Sequence, residues 1–347
     1  MFKRIISSIF VFLILLQTIQ AGPPFTAADL LIVDGKVYHL SLKPEDLAPN
    51  IILVGDPDRT PFLADYCLKR TDRIDVSHRG LRTITGETEG GLRVSIVTSG
   101  MGTPSLEIVI NELIILNEID LETRMPRGTP LHSRLNIIRL GTSGGLQAST
   151  KLGTPIISAF AIGLDNTGLF YTPSKFDTAS LELAELCKDS IAAAIPTEST
   201  FAHKICPYAA AATPEVVRAL YEASLEEGVE AKVGITASNA GFFANQGRDI
   251  VGIPLSVPDI DEILSRILFH ELRVENMEME ASFMFHFVHA LNCRASQPDS
   301  LKYYVGAVCP AVANRRLDTF DGHYEENILT SLHIILRAFE KLNSPEE

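Results

Sequence analysis

The chain has 347 residues, with 30 Lys plus Arg against 43 Asp plus Glu, and so a formal net charge of −13. Hydrophobic residues make up 46% and charged residues 21%, ordinary globular usage that excludes disordered and fibrous classes. The acidic balance, the absence of Trp and an aromatic share of 7% argue against a nucleic-acid partner or an aromatic stacking platform. Any anion must therefore be held by a few placed arginines.

Lys3 and Arg4 open a leader whose centre, residues 9–16, is an uncharged apolar run, and Ala21-Gly22 precede the breaker pair Pro23-Pro24. A basic start, a short apolar centre and small exit residues describe a secretory signal peptide over residues 1–21. The run is well short of the ~20 apolar residues of a membrane span, so no stable span is expected. The protein is expected to be secreted or periplasmic; a retained anchor, or a cytoplasmic chain with a non-functional leader, are the alternatives. Residues 22–347 contain no linker and are expected to form one domain. Five cysteines, Cys67, Cys187, Cys206, Cys293 and Cys309, lack C-x-x-C spacing. They fit buried small hydrophobes better than a zinc site or a disulfide framework.

After the leader, short β-branched runs stop at Gly-rich turns and are followed by helical patterns. Ile51-Ile52-Leu53-Val54 stops at Gly55-Asp56-Pro57-Asp58, and Val94-Ser95-Ile96-Val97-Thr98 at Ser99-Gly100-Met101-Gly102. Pro104 suits a first helical turn, and Leu106, Val109, Ile110, Leu113, Ile114 and Leu116 recur at helical spacing behind it. Residues 121–135, with three Arg and two Pro, read as a surface loop inserted before the strand Ile137-Ile138-Arg139-Leu140, which stops at Gly141-Thr142-Ser143-Gly144-Gly145. Residues 193–214 read as a second irregular excursion that includes the low-complexity patch 209–212. Residues 281–291 and 328–342 read as further helices. This alternation predicts an α/β fold, three-layered (α/β/α) around a central mixed sheet whose strand ends converge on Gly-rich loops.

Gly100-Met101-Gly102 offers G-x-G without a third glycine, and no GxxxxGK[ST] occurs, so dinucleotide and P-loop readings fail. What remains is a set of strand ends that each carry an anion donor: Gly55 with Arg59, Arg139 with Thr142, and the amides of residues 100–102. Singly each has an ordinary explanation, except that Arg139 lies in an apolar strand run, where an unpaired guanidinium would be costly. Glu278 and Glu280, two apart before an apolar helix, point the same way if the approach is extended; they equally suit a helix N-terminus. Phe242, Gln246 and Arg248 put an amide and a guanidinium beside aromatics, enough to sandwich and hydrogen-bond a flat ring; a surface loop is the alternative.

In order, Val37-Tyr38-His39-Leu40, the residue 55–59 turn, Ser77-His78-Arg79, the residue 99–105 loop, the residue 139–145 run, Phe242-x3-Gln246-x-Arg248, Glu278-Met279-Glu280 and Asn314-Arg315 resemble the nucleoside phosphorylase family that includes uridine phosphorylases. The resemblance runs from about residue 37 to residue 342. It implies that Gly55, Arg59, Arg139 and Thr142 hold inorganic phosphate, completed by Arg79 of a neighbouring subunit. Met279 and Glu280, with Glu278 beside them, would hold the ribose, and His39 of the neighbour would meet its 5′-hydroxyl. Phe242 would pack on the base or sugar, Gln246 and Arg248 would read the uracil edge, and Arg315 would support Arg248. Arg139, Arg248, Gln246 and Glu280 would be the catalytic set. The implied activity is reversible phosphorolysis of uridine, or also deoxyuridine, to uracil and α-ribose 1-phosphate, with phosphate as co-substrate and no metal or organic cofactor. A shared site implies a homodimer, or dimers stacked into a hexamer. Gly80 stands where bacterial uridine phosphorylases carry a cation-binding Glu. Purine-specific relatives place Ser-Asp where this chain has Asn314-Arg315, which favours a pyrimidine. The rivals are a purine nucleoside phosphorylase, a nucleosidase using water, and a secreted relative that binds nucleosides without cleaving them.

Overall fold

A computed structural model describes residues 23–294 and 301–344; the expected signal peptide lies outside the described residues. Eleven strands carry the main sheet: β1 (Asn50–Val54), β2 (Ile74–His78), β3 (Leu81–Glu87), β4 (Arg93–Thr98), β5 (Arg134–Leu140), β6 (Ser143–Gly145), β7 (Pro155–Leu164), β8 (Tyr208–Ala211), β9 (Lys232–Asn239), β10 (Leu272–Glu278) and β11 (Lys302–Asn314). They run in the order β8-β7-β9-β10-β6-β11-β5-β1-β4-β3-β2. Two short strands, Leu268–Phe269 and Thr319–Phe320, pair at its margins. The centre is parallel (β11, β5, β1 and β4) and the hairpin β2–β3–β4 at one edge is antiparallel. Pro155–Ile157 of β7 also pair with Val308–Pro310 of β11, which closes β7, β9, β10, β6 and β11 into a ring.

The helices are α1 (Arg59–Cys67), α2 (Thr103–Glu118), α3 (Thr178–Ala192), α4 (Pro214–Glu226), α5 (Ile260–Ser265), α6 (Ala281–Asn292) and α7 (Glu325–Asn343). Strand alternation assigns them to layers. Ile51 and Leu53 of β1, with Leu135 and Ile137 of β5, join an apolar cluster with α2 and α6. Ile52, Val54, Ile138 and Leu140 join the opposite cluster with α1, α4 and α7. Both faces are therefore covered, as near-continuous apolar strands require. The expected α/β/α layering is present, and the closed ring is its addition.

Two expectations need correction. The residue 193–214 excursion is not wholly irregular, because its alanine patch forms the edge strand β8. There Ala210 joins the cluster of α6 and Ala209 packs on that of α3, so each face has a helix close against it. The residue 121–135 loop contains a two-residue strand, Met125–Pro126, paired with Ile119–Asp120, and its end is already β5. All five cysteines are free; Cys187 and Cys309 are buried and Cys206 is exposed. Among the described residues no helix is long and apolar enough to cross a membrane.

Candidate active site

Parallel strands deliver their C-terminal ends to one edge of a sheet, and ligands bind there. The turns after β1 and β5, the end of β10, the 242–248 loop and the residue 315–320 hairpin line one cleft of about 760 Å³. Gly55, Arg59, Arg139, Thr142, Phe242, Gln246, Arg248, Glu278, Met279, Glu280 and Arg315 all line it. His39 and Arg79 do not.

At one end Arg59 opens α1, lifted there by a turn in which Asp56 Oδ1 accepts the Asp58 N–H at 2.9 Å. Arg59 is 9% exposed as a residue; its guanidinium carbon lies 5.9 Å from the Tyr324 ring centre, and Nη1 reaches only the Leu140 carbonyl, at 3.5 Å. Among the described residues no carboxylate pairs with it, so a nearly buried cation faces the cleft with donors to spare. Thr142 is half-buried across from it.

Arg139 shares the β5 face of Leu135 and Ile137, one step beyond the apolar cluster, which turns its side chain toward the start of α6. There Nε donates to Glu278 Oε2 at 2.9 Å, Nη2 pairs with Glu280 Oε2, and Nη1 is buried with no partner. An orphaned charged donor is costly, and a phosphate oxygen would satisfy it. Glu278 closes β10 in an extended conformation, so the two carboxylates do converge, on Arg139. Both Glu278 oxygens are engaged by protein donors: Arg139, the Ser238 hydroxyl, and the Glu280 and Ala281 N–H groups at the α6 N-terminus. Glu280 has fewer partners, Arg139 and the Gly102 N–H at 2.6 Å. Burial, with Glu278 beside it, pushes Glu280 up to about 7 although Arg139 opposes the change. The Gly102 amide is thus spent on a carboxylate and is not free for an anion.

At the other end Gln246 ends a short 3-10 turn, and Gly247 follows at φ 71, which reverses the chain toward Arg248. The Arg248 Nη1 donates to the Gln246 Oε1 and to the Phe242 carbonyl, and its guanidinium stacks 4.1 Å from the Phe242 ring centre. Burial first, and Arg315 second, lower its pKa. Arg315 donates to the Gln246 and Gly247 carbonyls and lies 3.6 Å from Asp261, so it braces the loop that carries Arg248. Asn314 spends its amide on the Gln147 and Thr150 carbonyls, at 2.9 and 2.7 Å.

His39 and Arg79 lie together elsewhere. The His78 Nδ1 is 3.1 Å from the His39 carbonyl, and Arg79 sits over Tyr38, 5.4 Å from its ring centre. Arg79 and Gly80 form the two-residue turn between β2 and β3, both at positive φ (54° and 79°), as a tight hairpin of this twist demands. Three further contributors carry no local cue in the sequence. Tyr324 precedes α7, Ser238 is the penultimate residue of β9, and Phe320 lies on the hairpin at the mouth.

A profile of the Phosphorylase superfamily matches residues 49–298. The uridine phosphorylase of Thermococcus kodakarensis is 30% identical over 287 residues, 83% of this chain and 80% of that one. A purine nucleoside phosphorylase of the DeoD type from Bacillus cereus is 28% identical over 213 residues, 61% and 70% of the two chains. A Trypanosoma brucei nucleoside phosphorylase, described as showing uridine phosphorylase activity, superposes with a TM-score of 0.79 at 28% identity, over 90% of this chain and all of that one. With most of its length matched and its strand-end cleft in place, the chain belongs to the Phosphorylase superfamily.

Proposed function

We propose that the protein is a uridine phosphorylase that cleaves uridine with inorganic phosphate to uracil and α-ribose 1-phosphate, reversibly and with inversion at C1′. The observation that carries this reading is one cleft holding two under-partnered arginines, Arg59 and Arg139, at one end and the Gln246–Arg248 amide–guanidinium pair at the other. Members of the superfamily act on nucleosides with phosphate, which supports the reaction class; the Thermococcus and Trypanosoma relatives support the pyrimidine. Where purine-specific relatives carry the Asp of a Ser-Asp pair this chain has Arg315, which offers no acid for a purine N7.

As the glycosidic bond lengthens, positive charge grows on the ribose and negative charge on the leaving uracil. Phosphate held by Arg59, Arg139 Nη1, Thr142 and the Gly55 turn stabilises the cationic sugar and adds to C1′ from a fixed position, which removes an entropic barrier. Glu280, ionised, accepts the ribose hydroxyls, and Met279 packs beneath the sugar. Arg248 faces the oxygen on which the uracil charge appears, and Gln246 completes the edge, a charge-stabilising set fixed in advance. No covalent nucleophile, metal or organic cofactor enters this scheme. His39 and Arg79, displaced from their own cleft, complete the site of a neighbouring copy, so the working unit is a homodimer. Its leader would send it to a secreted or periplasmic location.

The test is chromatography of uridine, thymidine, inosine and adenosine incubations, each with and without phosphate. Phosphate-dependent release of uracil is expected. Inosine preferred over uridine would make it a purine enzyme, turnover without phosphate a nucleosidase, and binding without cleavage an idle relative.

A further inference from the structure

Helix α2 buries an apolar stripe, and Glu112 lies within it, only 7% exposed. A carboxylate leaves water only where donors meet it, and every donor here comes from one segment. Oε1 accepts the His39 backbone N–H at 2.8 Å and stands 2.7 Å from His39 Nδ1, and Oε2 accepts the Leu40 N–H at 2.7 Å. Because both oxygens already accept backbone N–H bonds, Nδ1 is the donor. Nε2 has no hydrogen-bond partner among the described residues, on a side chain about one-quarter exposed. The Tyr38 ring meets the imidazole edge-on at 4.9 Å and restrains it further. None of these groups lines the cleft of its own chain, so the buried carboxylate serves a ring that is used elsewhere.

We infer that Glu112 is a positioning residue: it locks His39 so that Nε2 is presented to the 5′-hydroxyl of a nucleoside bound in the cleft of a second copy. This rests on the proposed function and adds a residue, remote from both substrates, that sets recognition of the hydroxymethyl group. It works as a buried acid orients an imidazole elsewhere, by fixing tautomer and direction.

The test compares uridine with 5′-deoxyuridine, at saturating phosphate, in the wild type, Glu112→Gln, His39→Ala and the double variant. Glu112→Gln keeps the volume and turns one acceptor into a donor. The KM for uridine should rise about three- to tenfold, the scale of one hydrogen bond, while 5′-deoxyuridine kinetics move far less. The double variant should be no worse than His39→Ala, because both act through one contact. Equal losses on both substrates, or additive losses, would make Glu112 a mere clamp for the loop and overturn the inference. If Glu112→Gln does not fold, Glu112→Asp, which keeps the charge and withdraws it by one methylene, carries the same expectation. A His39→Ala variant that still discriminates the two substrates would sink the cross-subunit placement, and the inference with it. Phosphate-dependent uridine cleavage by the wild type would leave the proposed activity standing.

Discussion

Glu280→Gln should make the protein more stable relative to wild type as pH rises, while impairing catalysis. Two buried carboxylates share the single guanidinium of Arg139, and Glu278 has the better donors. Burial, then Glu278, therefore raises Glu280 from an ordinary 4.5 to about 7, against the pull of Arg139 and of the Gly102 N–H. A folded pKa above the unfolded one means that the native chain binds more protons between those values. Stability contributed by the neutral form is then full below pH 4.5 and is lost as pH climbs toward 7. The gap, 7 − 4.5 = 2.5 pH units, corresponds to about 3 kcal/mol. Gln cannot ionise, so urea unfolding followed by circular dichroism at fixed protein concentration should show the variant gaining about 3 kcal/mol on the wild type between pH 4.5 and 7.5. Its lost acceptor is a constant offset that cancels in this comparison. Parallel stability curves would show that Glu280 titrates as an ordinary carboxylate, and a difference of opposite slope would show that Arg139 dominates it. Either result refutes the division of roles between the two acids.

Arg248→Ala should lower kcat/KM for uridine by about 10²–10³, the scale of losing one preorganised donor to a developing anion; near-normal turnover in steady-state assays would reject its role. Phosphate at about 100 times its Kd should stabilise the wild type by ~2.7 kcal/mol, read as a rise in melting temperature. Arg59→Ala should abolish most of that rise, and a shift of wild-type size in the variant would remove Arg59 from the anion site. Gly100 holds φ 70, and a Cβ there would stand 2.3 Å from the Ser105 Oγ. Gly100→Ala should therefore destabilise by about 1–3 kcal/mol in denaturant titrations; unchanged stability would contradict the left-handed turn that leads into α2.

The centre of the fold was legible because its signals are local. Ile51 to Val54 and Ile137 to Leu140 are apolar on both faces, which only a covered parallel strand tolerates, and the glycines that follow mark the turn to the next element. The ring was not legible, because it depends on Pro155–Ile157 meeting Val308–Pro310 across some 150 residues, and no residue in either segment announces its partner. The strand formed by the β8 alanines is hidden in the sequence for a related reason. Ala has weak strand preference, and what makes the segment a strand is the helix packed on each side, a tertiary fact.

The same distinction separates what the motifs could specify in the cleft from what they could not. Residue types and order are enough to nominate Arg139, as a guanidinium in an apolar strand where an unpaired charge would be costly, while Glu278 and Glu280 are nominated through the family resemblance, and nothing in the order pairs them with Arg139. Order cannot say how two acids divide one base. That division follows from Ser238, near the end of β9, which donates to Glu278, and from the first amides of α6, which do likewise; Glu280 is left with the weaker set, and burial, with Glu278 beside it, raises its pKa to about 7. Arg139 keeps Nη1 unpaired for the same reason, since its two carboxylates occupy Nε and Nη2. The triad thus holds a cation at the wall of the cleft without exhausting it, and one buried donor left unpaired is what an incoming oxyanion requires.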